Sequence, residues 1–291
     1  MTRIAGGGRG GVIDALTQWW VRLTGRRVDL QESEWLEGPS GEADRVGDTW
    51  LQREADRHGG TLQHDLTDAG LLPSMALLDG PDFCANELRP EVKSFYEHTS
   101  AYRLELWSQW SPVAWPFGWL ISAIFARRLE QLSLPLRPLD VALGMTSEVQ
   151  PVLDAAGTVI GTSWQRRLRS TGAPVYSGWY GTTTLPGATR ASVRVVFPLP
   201  NGRLVVLLHP EVGPDGALLL TSHGGKWAQD GAYLVVHRHH SSMAWARGIP
   251  IHERFRVYVD PEGILRTDHT LALWSVTALK LHYRLDHSLP K

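Results

Sequence analysis

Two periodicities divide this chain. Up to about residue 140 the apolar positions recur at helical spacing, and beyond Gly144 they alternate with polar ones. Residues Met1 to Gly11 are glycine-rich and expected to be disordered. Val12 to Leu23 carries Ile13, Leu16, Trp20 and Leu23 on one helical stripe. Glu42 to Arg57 has few apolar anchors and reads as an exposed helix, whereas Leu62 to Leu78 is more apolar and ends before Gly80-Pro81. Pro90 suits the first turn of a further helix. Val92, Phe95, Tyr96, Thr99, Tyr102, Leu106 and Trp110 extend its stripe, and a helix resumes from Gly118 to about Leu132 after Pro112 and Pro116. The prolines of Leu134 to Asp140 close this region.

The second region reads as ten strands in hairpin succession. They are Glu148 to Leu153, Val159 to Leu168, Val175 to Leu185, Ala191 to Leu199, Leu204 to His209, Leu218 to Ser222, Tyr233 to His237, Ile251 to Val259, Leu265 to Trp274 and Ala278 to Leu285. Asn201-Gly202 is a type I′ signal, and a three-residue loop at Ala155 to Gly157 would set Glu148 opposite Trp164. No helix between these strands is long enough for repeated parallel crossovers. The expected fold is α+β: a mainly helical region, 12–140, packed on an antiparallel meander, 141–291, that curls or closes into a barrel. It is lipocalin-like in architecture only, and architecture does not fix function.

The hairpin from Ile251 to Trp274 carries the most specific information. Pro261-Glu262-Gly263 suits a three-residue loop, a type I turn closed by a left-handed glycine. That loop pairs Val259 with Leu265, and then Phe255 with His269, Glu253 with Leu271 and Ile251 with Leu273. Arg256 meets Asp268 and Tyr258 meets Arg266 on the other face. One face is therefore apolar except for Glu253, Thr267 and His269. Burying an acid and an imidazole costs free energy, so their presence on that face needs a reason. Glu253 and His269 are diagonal, with β-carbons about 5–8 Å apart. Such a carboxylate can orient the imidazole for proton transfer, or the two can be a polar cluster inside a barrel.

Composition narrows the function classes. A formal net charge of -1 gives no overall basic field for nucleic acid or an anionic membrane. Cys84 is the single cysteine, which excludes an intramolecular disulfide and a cysteine-zinc site and suits a cytoplasmic protein. Asp14 and Gln18 interrupt the apolar N-terminal stretch, so a secretory signal is not expected. No nucleophile elbow or dinucleotide fingerprint is present, and no cofactor is expected. Trp107 to Ala126 is uncharged, but Pro112 and Pro116 split it; it reads as a buried corner or cavity lid, or as a weak membrane-surface contact.

The 13 tryptophans, more than the tyrosines or the phenylalanines, suit a core or a ligand cavity. Trp164, Trp179 and Tyr180 lie on neighbouring strands, with Arg166, Arg167 and Arg169 close by. They suit a planar or anionic ligand through stacking and charge, or equally core tryptophans with solvent-facing arginines. His237 and His239 share a strand face, but no third metal ligand is evident, and no metal is expected. His223 to Trp227 lacks the context of a phosphate loop. The leading expectation is binding of a small, largely apolar molecule in a β cavity lined by Trp164, Trp179, Phe255, Thr267, Leu271 and Tyr283. The alternatives are a cofactor-independent isomerase, cyclase or lyase with Glu253 and His269 as the catalytic pair, and a peripheral membrane or protein-interaction role through Trp107 to Ala126.

Overall fold

The computed structural model describes residues 9–41, 49–64, 66–111, 144–172, 174–224, 226–237 and 242–288. Among the described residues there are three α-helices, α1 (Arg9–Thr24), α2 (Thr49–Arg57) and α3 (Pro90–Glu97). The strands of the first part are β1 (Arg26–Asp29), β2 (Thr61–Leu62) and β3 (Tyr102–Trp110). The rest are β4 (Met145–Leu153), β5 (Val159–Leu168), β6 (Pro174–Thr184), β7 (Ala191–Leu199), β8 (Gly202–Val212), β9 (Leu218–Thr221), β10 (Gly231–His237), β11 (Met243–Ile249), β12 (Ile251–Val259), β13 (Leu265–Leu273) and β14 (Val276–His287).

All 14 strands belong to one sheet, and their pairings are antiparallel. The main order is β2-β4-β5-β6-β7-β8-β9-β12-β13-β14-β3. The long strand β8 forks it. Residues 202–207 of β8 pair with β10, which leads on to β11 and β1, while residues 209–212 pair with β9 and lead on to β12. Among the described residues the path ends on β2 and β3 without closing, so the sheet is open and the closed barrel, one of the two expected forms, is not found.

Strict alternation on the central strands makes two cores, one on each face. Val193, Val195, Val206, Leu208, Leu218, Leu265, Leu281 and Tyr283 belong to the first, together with Phe95 and Tyr96 of α3. Val196, Val205, Leu207, Tyr233 and Val235 face the other way, onto Trp35, Leu36, Trp50 and Leu51. The same strands are therefore buried on both sides, which explains their nearly continuous apolar runs.

The ten strands expected from the sequence are β4 to β10 and β12 to β14. Four more complete the sheet, and three of them come from the segment that reads as helical. In β3 the burial alternates: Tyr102, Leu104 and Leu106 are buried, while Arg103 and Trp107 are exposed. The helical stripe that begins with Val92, Phe95 and Tyr96 is thus real only up to Glu97, and Tyr102, Leu106 and Trp110 belong to the strand. Thr99 ends it, donating from Oγ1 to the Phe95 carbonyl at 2.6 Å and accepting the Leu71 N–H at 3.3 Å. The fourth added strand, β11, buries Ala244 and Ala246, side chains too small to give a strong apolar signal. Among the described residues the helical part is correspondingly small. In α2, Trp50, Leu51, Glu54 and Ala55 are buried, so this helix is not the exposed one expected. The stripe of α1 is instead on the outside, with Leu16, Trp20 and Leu23 exposed and Val21 buried. The expected helix from Gly118 to Leu132 and the Leu134 to Asp140 boundary lie outside the described residues.

Two local registers differ from expectation. The β7–β8 hairpin pairs Leu199 with Gly202, so Pro200 and Asn201 occupy the turn. Asn201 has φ 55°, and proline holds φ negative, giving the sign pattern of a type II turn in place of type I′. The loop after β4 closes as expected, pairing Leu153 with Val159, but a bulge follows and pairs Val152 with Gly161. The extra residue on β5 moves Trp164 opposite Val149 and leaves Glu148 opposite Gln165.

Candidate functional site

The β12–β13 hairpin forms with the expected register throughout, including Phe255 with His269, Glu253 with Leu271 and Arg256 with Asp268. Its loop is fixed by Asp260, whose Oδ1 accepts the N–H groups of Glu262 at 3.0 Å and Ile264 at 2.8 Å. Gly263 is left-handed, φ 80°, a conformation that glycine takes without a Cβ clash. Arg266 pairs with the other oxygen of Asp260.

A cavity of ≈130 Å³ lies on the first-core face of the sheet, between β5 to β7 and β12 to β14. Most of its wall is aliphatic or aromatic, and the members that carry polar groups include Arg166, Glu253, Thr267, His269 and the tyrosines Tyr96, Tyr176, Tyr180 and Tyr283. Trp164, Phe255, Thr267, Leu271 and Tyr283 all line it, so five of the six residues singled out as ligand-facing come together there with Glu253 and His269. The sixth does not. Trp179 points to the opposite core, where it meets Trp50 edge-on at 6.5 Å. It is one residue from Tyr180, and successive strand residues face opposite sides of a sheet.

His269 lies flat on Phe255, its hairpin partner, with ring centroids 3.8 Å apart and planes at 16°. Its Nε2 is 3.3 Å from Glu253 Oε2, but off line for a hydrogen bond, and Nε2 is buried without a hydrogen-bond partner. The Glu253 backbone is held by Ser222, whose hydroxyl accepts the Glu253 N–H at 2.7 Å and whose own N–H donates back to the Glu253 carbonyl at 2.9 Å. Stacking and backbone anchoring thus fix both members of an acid–imidazole pair in the cavity wall.

Across the cavity stands Arg166, which is only 6% exposed. Its guanidinium carbon lies 4.4 Å from the Trp164 ring, 4.6 Å from Tyr176 and 5.4 Å from Tyr283. The aromatic faces attract the cation. Trp164 is itself held by its indole N–H, which donates to Ser147 Oγ at 2.8 Å. Tyr176 and Tyr180 share a hydroxyl–hydroxyl hydrogen bond of 2.9 Å. Burial pushes the Tyr180 hydroxyl up to about 12; the Glu253 charge adds to that rise while Arg166 opposes it. Tyr176 is raised well above its ordinary value, again chiefly by burial. Both are therefore neutral donors near pH 7.

Sequence reasoning offered Tyr180 and Arg166 beside Trp164 as one of two readings, the other being core tryptophans with solvent-facing arginines, and it missed Tyr176; all three line the cavity. The signal was available in the twofold period, which puts Arg166 on the face of Trp164 and Tyr176 on the face of Tyr180. What hid it was the general tendency of arginine to face solvent.

Other expectations fall elsewhere. His237 accepts hydrogen bonds from inside the second core, while 238–240 lie outside the described residues. Of Trp107 to Ala126, residues 107–110 are the end of β3, where Trp107 is exposed and Trp110 packs against the first core; 112–126 lie outside the described residues. Among the described residues no helix is long and apolar enough to cross a membrane. A larger groove of ≈460 Å³ is lined by Arg26, Lys226, Trp227, Arg247 and Trp274, but it is open to solvent and holds neither partner of the acid–imidazole pair. Comparison with protein-family models, with curated proteins and with solved structures finds no match to this chain.

Proposed function

We propose that the protein binds a small, largely apolar molecule in the cavity between β5 to β7 and β12 to β14. The observation that supports this reading most is the wall itself: an apolar surface around ≈130 Å³, with a few convergent polar groups at fixed positions. A core built for stability alone closes such a space, because unfilled volume forfeits packing energy. The space is comparable with the cavity of about 150 Å³ that admits benzene in an engineered protein, so the occupant is of that order. Native mass spectrometry of the purified protein, with toluene and benzoate added in turn, tests the proposal. A bound species that disappears on denaturation, with a matching rise in melting temperature, is the expected result. No adduct and no thermal shift with any small apolar compound would reject it.

A second reading uses the same space for chemistry. It is favoured by the 3.3 Å approach of His269 Nε2 to Glu253 Oε2 on the cavity wall. An acid and an imidazole so placed can pass a proton to and from a bound molecule, in an isomerisation, cyclisation or elimination without a cofactor. On this reading His269→Ala abolishes turnover while the fold survives. Parallel loss of folding and turnover would give His269 a structural role instead.

A further inference from the structure

We propose that the molecule bound in this cavity carries a carboxylate, seated against Arg166, ahead of a compact apolar body. The inference rests on the ligand-binding reading above and adds the chemistry of the ligand's head.

Arg166 is the starting point. It is more than nine-tenths buried and lines the cavity, two residues along β5 from Trp164 and on the same face. Arginine does not lose its proton inside proteins, so a full positive charge is held there. The three surrounding rings stabilise the cation through their faces, yet a ring face satisfies its charge better than its five directional donors. Its Nε–H has no hydrogen-bond partner among the described residues. Among the described residues no carboxylate forms an ion pair with it. Glu253 is, among the described residues, the one acid in the cavity wall, and its carboxylate lies 3.3 Å from His269 Nε2. A buried cation without a counter-charge is costly, and the cost falls when a ligand supplies the missing anion.

The neighbouring tyrosines add a donor. Two hydroxyls that share one hydrogen bond leave one hydroxyl proton without an acceptor. A carboxylate offers two oxygens, one for the planar guanidinium fork and one for a tyrosine hydroxyl. The volume limits the rest. About one ring or a short branched chain fits ≈130 Å³ beside the head. The proposed class is therefore small monocyclic or branched monocarboxylic acids.

The test is calorimetric titration of the purified protein with benzoate, cyclohexanecarboxylate and isovalerate, each against its carboxamide, with toluene as the headless probe. At least one acid should bind roughly tenfold or more tighter than its amide, since charge-assisted hydrogen bonds exceed neutral ones. Arg166→Met should remove that preference and leave toluene binding in place. It should also raise the melting temperature of the unliganded protein, because a buried unpaired charge is replaced by an apolar side chain of similar length. Acids and amides binding equally, or an acid preference that survives Arg166→Met, would overturn the carboxylate while the cavity reading stands. Binding by none of the probes, toluene included, would overturn both. If Arg166→Met does not fold, the acid-against-amide comparison on the unmodified protein still decides the matter.

Discussion

Arg203 donates from Nη2 to His237 Nε2 at 2.6 Å. The same guanidinium donates from Nε to Ser40 Oγ at 3.1 Å and from Nη1 to the Leu36 carbonyl at 3.2 Å. Three donors thus tie β8 and β10 to the loop that carries Trp35 and Leu36 over the second core. An imidazole nitrogen that accepts from arginine must be unprotonated, so His237 is neutral with its proton on Nδ1. Burial, and then the charges of Arg203 and Arg57, hold its pKa down at about 3. Arg203 is pulled down to about 9, chiefly by burial, and remains charged near neutrality.

Stability should therefore fall in acid through His237. Its ordinary value is 6.5 and its folded value about 3. Between these the unfolded chain binds a proton that the folded chain refuses, so stability rises with pH across the window. The full contribution is present above pH 6.5 and is lost progressively as the pH falls towards about 3. The slope from this one group approaches about 1.4 kcal/mol per pH unit. Urea unfolding between neutral pH and pH 4 should show a steeper loss for the unmodified protein than for His237→Gln. Identical slopes would mean that His237 does not resist protonation.

Gly161 should not tolerate a side chain. A Cβ there would lie 2.3 Å from Cε2 and Cζ2 of Trp179, whose indole is packed into the second core against Trp50. Overpacking of this kind costs about 1–3 kcal/mol. Gly181, on the next strand, is the control: its nearest obstacle is 3.9 Å away and its φ is not left-handed. Chemical denaturation should place Gly161→Ala at least ~1 kcal/mol below Gly181→Ala. Equal stabilities would show that the Trp179 ring moves aside freely.

Thr99 is the residue at which the helical pattern stops, and its hydroxyl should be worth more than its methyl. The side chain is fully buried, donating to Phe95 and accepting from Leu71. Thr99→Val keeps the shape but leaves a buried N–H and a helix-end carbonyl short of a partner, at about 1–3 kcal/mol. Thr99→Ser keeps both bonds and should lose less. Thermal unfolding of the two variants checks the order, and a Val variant as stable as the Ser variant would refute it.

That threonine also marks where the sequence was hardest to read. Thr99, Tyr102, Leu106 and Trp110 satisfy helical spacing, while Tyr102, Leu104 and Leu106 satisfy strand spacing just as well. Pairing with β14 decides between them, and that partner is remote in sequence, as in the pairs Trp110 with Leu279 and Tyr102 with His287. Hairpin registers are different, because a turn and its two strands are adjacent in sequence. Asp260 and Gly263 therefore made every pair from Ile251–Leu273 to Val259–Leu265 legible. The β4–β5 bulge defeated the same reasoning, since an extra residue leaves no compositional mark. The fork in β8 was invisible for a related cause: one strand edge serves β10 along part of its length and β9 along the rest. Arg166 was legible as a neighbour of Trp164 but not as buried, because its burial depends on Tyr176 of β6 and Tyr283 of β14.

The last prediction concerns the acid–imidazole pair as an energetic unit. His269 is held by stacking on Phe255, and the Glu253 backbone by Ser222. If their proximity matters only as shape, replacing both should cost the sum of the single replacements. If the charges interact across 3.3 Å, the costs should not add, since partners in one polar contact couple by about 0.5–3 kcal/mol. Glu253→Gln, His269→Gln and the double variant keep comparable volume and complete a thermodynamic cycle. We expect a coupling of at least ~0.5 kcal/mol, because both side chains are largely removed from solvent and screening is weak there. A coupling near zero, measured by chemical denaturation at fixed pH, would make the two residues neighbours without a joint role and would weaken the proton-transfer reading. It would leave Arg166 and the cavity untouched, since neither enters the cycle.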